Sequence, residues 1–243
     1  MTHTPHHRPH KLGTCIGTLT IAGVDRGVYL RAMVNSRRMT LRLDPATDQV
    51  LLTAPPHVNH IRALHFAESK VAWLENAAHR LPKRIALADG SIIPIAGENI
   101  TICHKPEARK GVWREGHCLY VSGQTAHLPR RVTDYLKKEC QRIIPPIAHH
   151  YARLLEVHFA KISVRDQKSR WGSCSAAGNL AFSWRLICAP PYVLGYVVAH
   201  EIAHLRELNH SPKFWHLLDS ICPDRLRAEA WLSEHGTSLH RIS

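Results

Sequence analysis

VVAHEIAHLRELNHSPKFW, residues 197–215, is the stretch that orients the rest of the chain. In a helix, positions four apart differ by about 40° around the axis and by about one turn in height. His200 and His204 then project from one face and can reach the same ion. Glu201 is rotated by about 100°, near enough to act on a water at that ion but badly placed as a ligand. Two imidazoles that bind and a carboxylate that accepts a proton are the working parts of an HExxH helix. The preceding YVLGYVVA, residues 192–199, has the composition of a buried helix. Two histidines and a glutamate at its end would cost roughly several kcal/mol in desolvation unless they are paired or bind a metal.

A third ligand has to come from farther along. LREL, residues 205–208, is expected to continue the helix as far as Asn209, a residue tolerant of the left-handed conformation that ends helices. Ser211-Pro212 reads as the N-cap and first residue of another helix. His210 therefore falls in the turn, where its side chain can fold back toward His200 and His204. Three neutral imidazoles leave one tetrahedral position open, which suits a catalytic rather than a structural zinc site. One zinc ion is the expected cofactor. His210 is the favoured third ligand, and Glu207 and Glu229 are its rivals. The count matches the metzincin pattern HExxHxxGxxH, but Glu207 stands where that pattern has glycine, which argues against a metzincin.

Upstream lie KSRWGSC, residues 168–174, and LAFSWRL, residues 180–186. Arg170 and Trp171 are candidates for substrate contact, although Trp171 can equally plug a core beside a turn at Gly172. LAFSWRL reads as a strand, either an edge that pairs with an extended substrate or an ordinary core strand; Arg185 on it is a further contact candidate. Tyr196, one turn before His200, either donates to an oxyanion or packs. Cys174 has no free histidine to activate it, which favours an inert thiol.

The part before residue 127 is different in character. RMTLRLD (38–44) places Met39, Leu41 and Leu43 on one face, and DQVLLTAPP follows a turn-prone DPATD, predicting a hairpin. Residues 60–81 carry Ile61, Leu64, Ala67, Val71, Leu74 and Ala78 at helical spacing and predict one amphipathic helix stopped by Pro82. Short strands resume from RIALADGSIIPI onward, and no internal repeat is visible. The expected fold class is α+β: a polar, His-rich tail over 1–12 that reads as disordered, a β-rich module with one helix over 13–126, and a mainly helical domain with a short sheet over 127–243.

Composition narrows the class. The 243 residues are 44% hydrophobic and 21% charged, as in an ordinary globular protein. The N-terminus has no apolar signal-like core, and no run approaches a membrane span. The seven cysteines are odd in number and form no CxxC pair, which favours reduced thiols and a cytoplasmic setting. The net charge of +13 is compatible with nucleic acid, nucleotides or acidic proteins as partners, or with a generally basic surface.

Residues 170–215, from RWGSC through a strand and a Pro-Pro turn to HEIAH and NHSPKFW, closely resemble the YgjP-like metallopeptidase family, which is related to the SprT-like proteases. RRMTLRLD, APP and the Ala72-Trp73 pair in the first half also fit. The resemblance implies a zinc-dependent hydrolase with a minimal gluzincin-like domain. It also implies His200, His204 and His210 as ligands and Glu201 as general base. A peptide or protein substrate is the leading expectation. The alternatives are a divalent-metal-dependent nucleotide hydrolase and a DNA-associated protease.

Overall fold

The computed structural model describes residues 13–243 as a mixed α+β chain, and the expected tail over 1–12 lies outside the described residues. The chain divides into two compact units, Met1–Pro82 and Lys83–Ser243.

In the first unit, β1 (Thr14–Ile21), β2 (Val24–Ala32), β3 (Thr40–Leu43) and β4 (Val50–Ala54) form one sheet in the order β1-β2-β4-β3. The β3–β4 hairpin is antiparallel, with Leu43 opposite Val50, and Met39, Leu41 and Leu43 lie on the core side as their alternation predicts. The helix expected over 60–81 is two helices, α1 (His60–Glu68) and α2 (Val71–His79). The Ser69 hydroxyl donates to the Phe66 carbonyl at 2.8 Å, a local bond that competes with the helical ladder. The break shifts the buried face to Ala63, Ala67 and Leu74, and leaves Ile61 82% exposed.

The second unit opens with β5 (Ile92–Ile95), β6 (Glu98–Lys105), β7 (Val112–Glu115) and β8 (Cys118–Ser122), in the order β5-β6-β8-β7. Both sheets thus have the same wiring: two antiparallel hairpins joined by a central parallel pair, β2 with β4 and β6 with β8. The first hairpin of each turns on Ala-Gly with positive φ, 52° and 74° at Ala22-Gly23 and 53° and 86° at Ala96-Gly97. Two left-handed residues match the twist of the flanking strands. No repeat is visible in the sequence because IAG is the one obvious identity between the two segments.

Next comes α3 (Leu128–Leu154), a single 27-residue helix that runs through Pro145 and Pro146. Its buried residues are Leu128, Val132, Leu136, Cys140, Ile144, Ala148 and Ala152, every fourth position. Each four-residue step advances about 40° around the axis, so the buried stripe winds around the helix. It packs on β7 and β8, where Arg131 near its start donates to the Ser122 carbonyl at 2.9 Å, and on β9 (Lys161–Arg165) and α4 (Pro191–Ala203). A single core therefore runs from Ile93, Ile100 and Leu119 through α3 to Val198 and Ile202. The boundary expected at 126/127 cuts through this core; the compact units divide at Pro82 instead.

β10 (Gly172–Cys174) and β11 (Asn179–Ser183) complete a three-stranded sheet in the order β10-β11-β9. The strand expected over LAFSWRL stops at Ser183, where the chain tightens into a 3₁₀ helix, Trp184–Cys188, whose residues are all buried. β11 is central, antiparallel to β10 and parallel to β9, so the edge-strand reading of this segment does not hold. The edge beside the HExxH helix is β10, which packs on α4. α5 (Pro212–Ile221) and α6 (Arg225–His240) follow, and Ser243 returns to bond the backbone of Ile85 and Leu87.

Candidate metal centre

α4 begins at Pro191, with buried residues from Val193 onward, as the YVLGYVVA composition predicts. It ends at Ala203, one turn earlier than expected, with His204 as its C-cap; LREL is not helical. At this end the ladder tightens: the Leu205 and Arg206 N–H groups bond the Ile202 and Ala203 carbonyls, three residues back, both at 3.0 Å, and the Glu207 carbonyl meets His204 Nδ1 at 3.1 Å. With a proton on Nδ1 donated to that carbonyl, His204 Nε2 keeps its lone pair for the site.

The turn that follows returns His210 to the helix. Ser211 caps α5 by accepting from Phe214 N–H, as its Ser-Pro signature predicts. His200 Nε2 lies 3.2 Å from His204 Nε2 and 3.0 Å from His210 Nε2. The three residues form the one group of metal-capable side chains found among the described residues, with ligand atoms within 4.8 Å of one another. A tetrahedral ion with bonds of about 2.0–2.1 Å holds its nitrogens about 3.3 Å apart, so the donor set is of the right type and size. Glu207 contributes its backbone carbonyl to His204 rather than its carboxylate to the group. Glu229 accepts from the Tyr196 hydroxyl at 3.0 Å and pairs with Arg225.

Phe214 forms the floor beneath the imidazoles. It is fully buried, with ring centroids 5.0, 4.6 and 4.8 Å from those of His200, His204 and His210. Burial and the neighbouring imidazoles push His200 down to about 3, and burial also lowers His204. His200 and His204 thus resist protons while keeping their lone pairs, which is what a cation site requires.

Glu201 is buried against β10. Burial raises its carboxyl to about 8, against the opposing influence of the Arg170 charge and a hydrogen bond from the Cys174 backbone N–H. Gly172 makes this approach possible: a Cβ there would lie 2.6 Å from both Cγ and Oε1 of Glu201. Cys174 has its thiol raised to about 11 by burial and by Glu201, the wrong direction for a nucleophile.

The candidate contact residues separate. Arg170 stands near Glu201. Trp171 turns to α6, stacking on His240 with centroids 4.3 Å apart. Arg185 is buried in an ion pair with Asp166 and also donates to the Ile242 carbonyl, so its guanidinium serves the core. Tyr196 presents its ring to His200 at 5.9 Å, but its hydroxyl is held by Glu229. Sequence reasoning missed the roles of Gly172, the Cys174 N–H and the Glu207 carbonyl. The WGSC motif marks the first; the other two are backbone groups and leave no trace in residue type. Phe214 was read as core, which it is, without its place under the histidines.

Comparison with known proteins adds the family. The pattern described as YgjP-like, metallopeptidase domain, matches residues 37–235. Two solved structures are similar. The metallopeptidase zymogen abylysin of Pyrococcus abyssi is 21% identical, with 41% of this chain and 98% of that one covered and a TM-score of 0.36. The metallopeptidase zymogen jannalysin of Methanocaldococcus jannaschii is 19% identical, with 37% and 94% covered and a TM-score of 0.34. No curated protein matches. No helix among the described residues is long and apolar enough to cross a membrane. Matched from residue 37 to residue 235, the chain belongs to the YgjP-like metallopeptidase family and is a metallopeptidase-like hydrolase.

Proposed function

We propose that the protein is a zinc-dependent peptide hydrolase with a gluzincin-like site, in which His200, His204 and His210 hold the ion and Glu201 is the general base. The observation that carries this reading is the convergence of three imidazole nitrogens beside a buried carboxylate. A bound divalent ion supplies Lewis acidity, which lowers the pKa of water and polarises a carbonyl.

The protein's own groups do the rest. The Glu207 carbonyl fixes the tautomer of His204, and Phe214 fixes the planes of the rings. Glu201 takes the proton of the attacking water and passes it to the leaving amine. Its raised affinity for a proton suits a group that must carry one between two steps. The Cys174 N–H keeps the carboxyl aimed. β10 is the edge of its sheet, and an extended peptide laid along it would gain backbone hydrogen bonds and bring its carbonyl past Glu201.

The test is Glu201→Gln. The amide occupies the same space but cannot accept the proton, so zinc content should match the parent while peptide hydrolysis falls by about a hundredfold or more. Equal loss of zinc would make Glu201 a ligand and sink the role given to it.

A further inference from the structure

Arg170 differs from the other cations around it. Arg185 is buried and paired with Asp166, and the charge of Lys168 also falls on Asp166. Arg225 is held by Asp219 and Glu229. Arg170 is half-buried, and its guanidinium has no hydrogen bond, ion pair or ring contact among the described residues. Its position follows from the segment around it. The Trp171 side chain turns to α6, and the Trp171 carbonyl accepts from Ser183 N–H. Gly172, the next residue, lies against Glu201. Arg170 precedes Gly172 by two residues, just outside β10, and its charge is felt at Glu201.

Glu201 feels the Arg170 charge, and no salt bridge joins the two. A base that must take up and release a proton is a poor permanent partner for an arginine. A guanidinium offers five donors in a planar fork that matches paired anionic oxygens. Leaving that fork unsatisfied at the end of the edge strand makes sense if the substrate brings the oxygens.

We propose that Arg170 is the specificity-determining residue of the site and recognises an anionic group on the substrate, a carboxylate placed beside the scissile bond. The preferred substrates are then acidic peptides, a choice that the overall charge of +13 reinforces during encounter. This rests on the peptide hydrolase reading, and the experiment separates the two.

The protein to use is the zinc-loaded full chain carrying Glu201→Gln, so that ligands bind without turnover. Fluorescent peptides that differ at one position, Glu, Gln or Lys, are titrated by anisotropy, with inorganic tripolyphosphate as a second probe. The Glu peptide should bind about tenfold or more tightly than the Gln peptide, as expected for a charge-assisted fork. Adding Arg170→Gln should erase the difference without changing zinc content, Arg170→Lys should keep part of it, and Arg170→Glu should shift the preference to the Lys peptide. A loss of packing alone would not reverse a charge preference. Equal binding of Glu and Gln peptides, or a Glu preference that survives Arg170→Gln, overturns the assignment. Arg170-dependent binding of tripolyphosphate with no peptide binding would keep the anion role of Arg170 and overturn the peptide reading. Binding of neither probe overturns the proposal.

Discussion

At the scale of single residues, the site depends on two positions for opposite reasons, His210 for the side chain it has and Gly172 for the one it lacks. His210→Ala should lose most zinc affinity, because a coordinate bond goes with the ring. Glu207→Ala should keep zinc, because only the backbone carbonyl of that residue is used. Zinc retained after dialysis, followed beside circular dichroism, separates the two; retention in His210→Ala with loss in Glu207→Ala would make the site a two-histidine, one-carboxylate one. Gly172→Ala places a methyl 2.6 Å from the Glu201 side chain, with β10 on one side and α4 on the other. Crowding of this kind costs about 1–3 kcal/mol. Glu201 should be displaced while the three histidines stay, so melting temperature and hydrolysis should fall with zinc content unchanged. The grouping of His200, His204 and His210 was legible in the sequence because it depends on helical spacing and a Ser-Pro cap, both local. The surroundings of Glu201 were not, because they come from a strand about thirty residues upstream and involve a backbone N–H.

At the scale of elements, α5 and α6 act together on the turn that carries His210. Trp215 on α5 stacks on His210 with centroids 5.5 Å apart, and the Arg225 guanidinium of α6 lies 5.2 Å from the Trp215 ring centre. Arg225 in turn grips Asp219 and Glu229, and Glu229 takes the Tyr196 hydroxyl on α4. Arg225→Ala should therefore loosen Trp215 and weaken zinc binding by about tenfold to a hundredfold, the usual size of an effect on a ligand's support. Competition with a chelator measures it, and unchanged affinity would reduce the network to surface pairing. Elements were legible where one pattern ruled, as in the β3–β4 hairpin and α4. They were misread where a side chain intervened or the chain changed habit without a strong signal: at Ser69 between α1 and α2, at Ser183 where β11 becomes 3₁₀, and at His204 where α4 stops. The alternation of LAFSWRL could not show that β11 is flanked on both sides, since strand order depends on partners remote in sequence.

At the scale of the whole molecule, the residues proposed for catalysis all lie in the second compact unit, Lys83–Ser243. A fragment of residues 83–243 should fold and bind zinc with the stoichiometry of the full chain. A fragment of residues 127–243 should not fold, because it lacks β7 and β8, on which α3 packs, and so opens the core that holds Leu128 and Val132. Circular dichroism and zinc content of the two fragments check this, and a folded, zinc-binding shorter fragment would refute it. The sequence reading placed the division at the change from strands to helices; packing divides the chain by shared core instead. The repeated strand order, β1-β2-β4-β3 and β5-β6-β8-β7, has a consequence for biosynthesis. Each opening hairpin closes on a two-residue turn and leaves the ribosome with one long flank open, awaiting a parallel strand made only later. The closing hairpins, β3–β4 and β7–β8, are alike in architecture, so backbone alone does not tell a nascent hairpin which one to accept. Fidelity rests on side chains and on timing: the first sheet can close before the second has been translated, and a slow codon run after residue 54 would give it that interval.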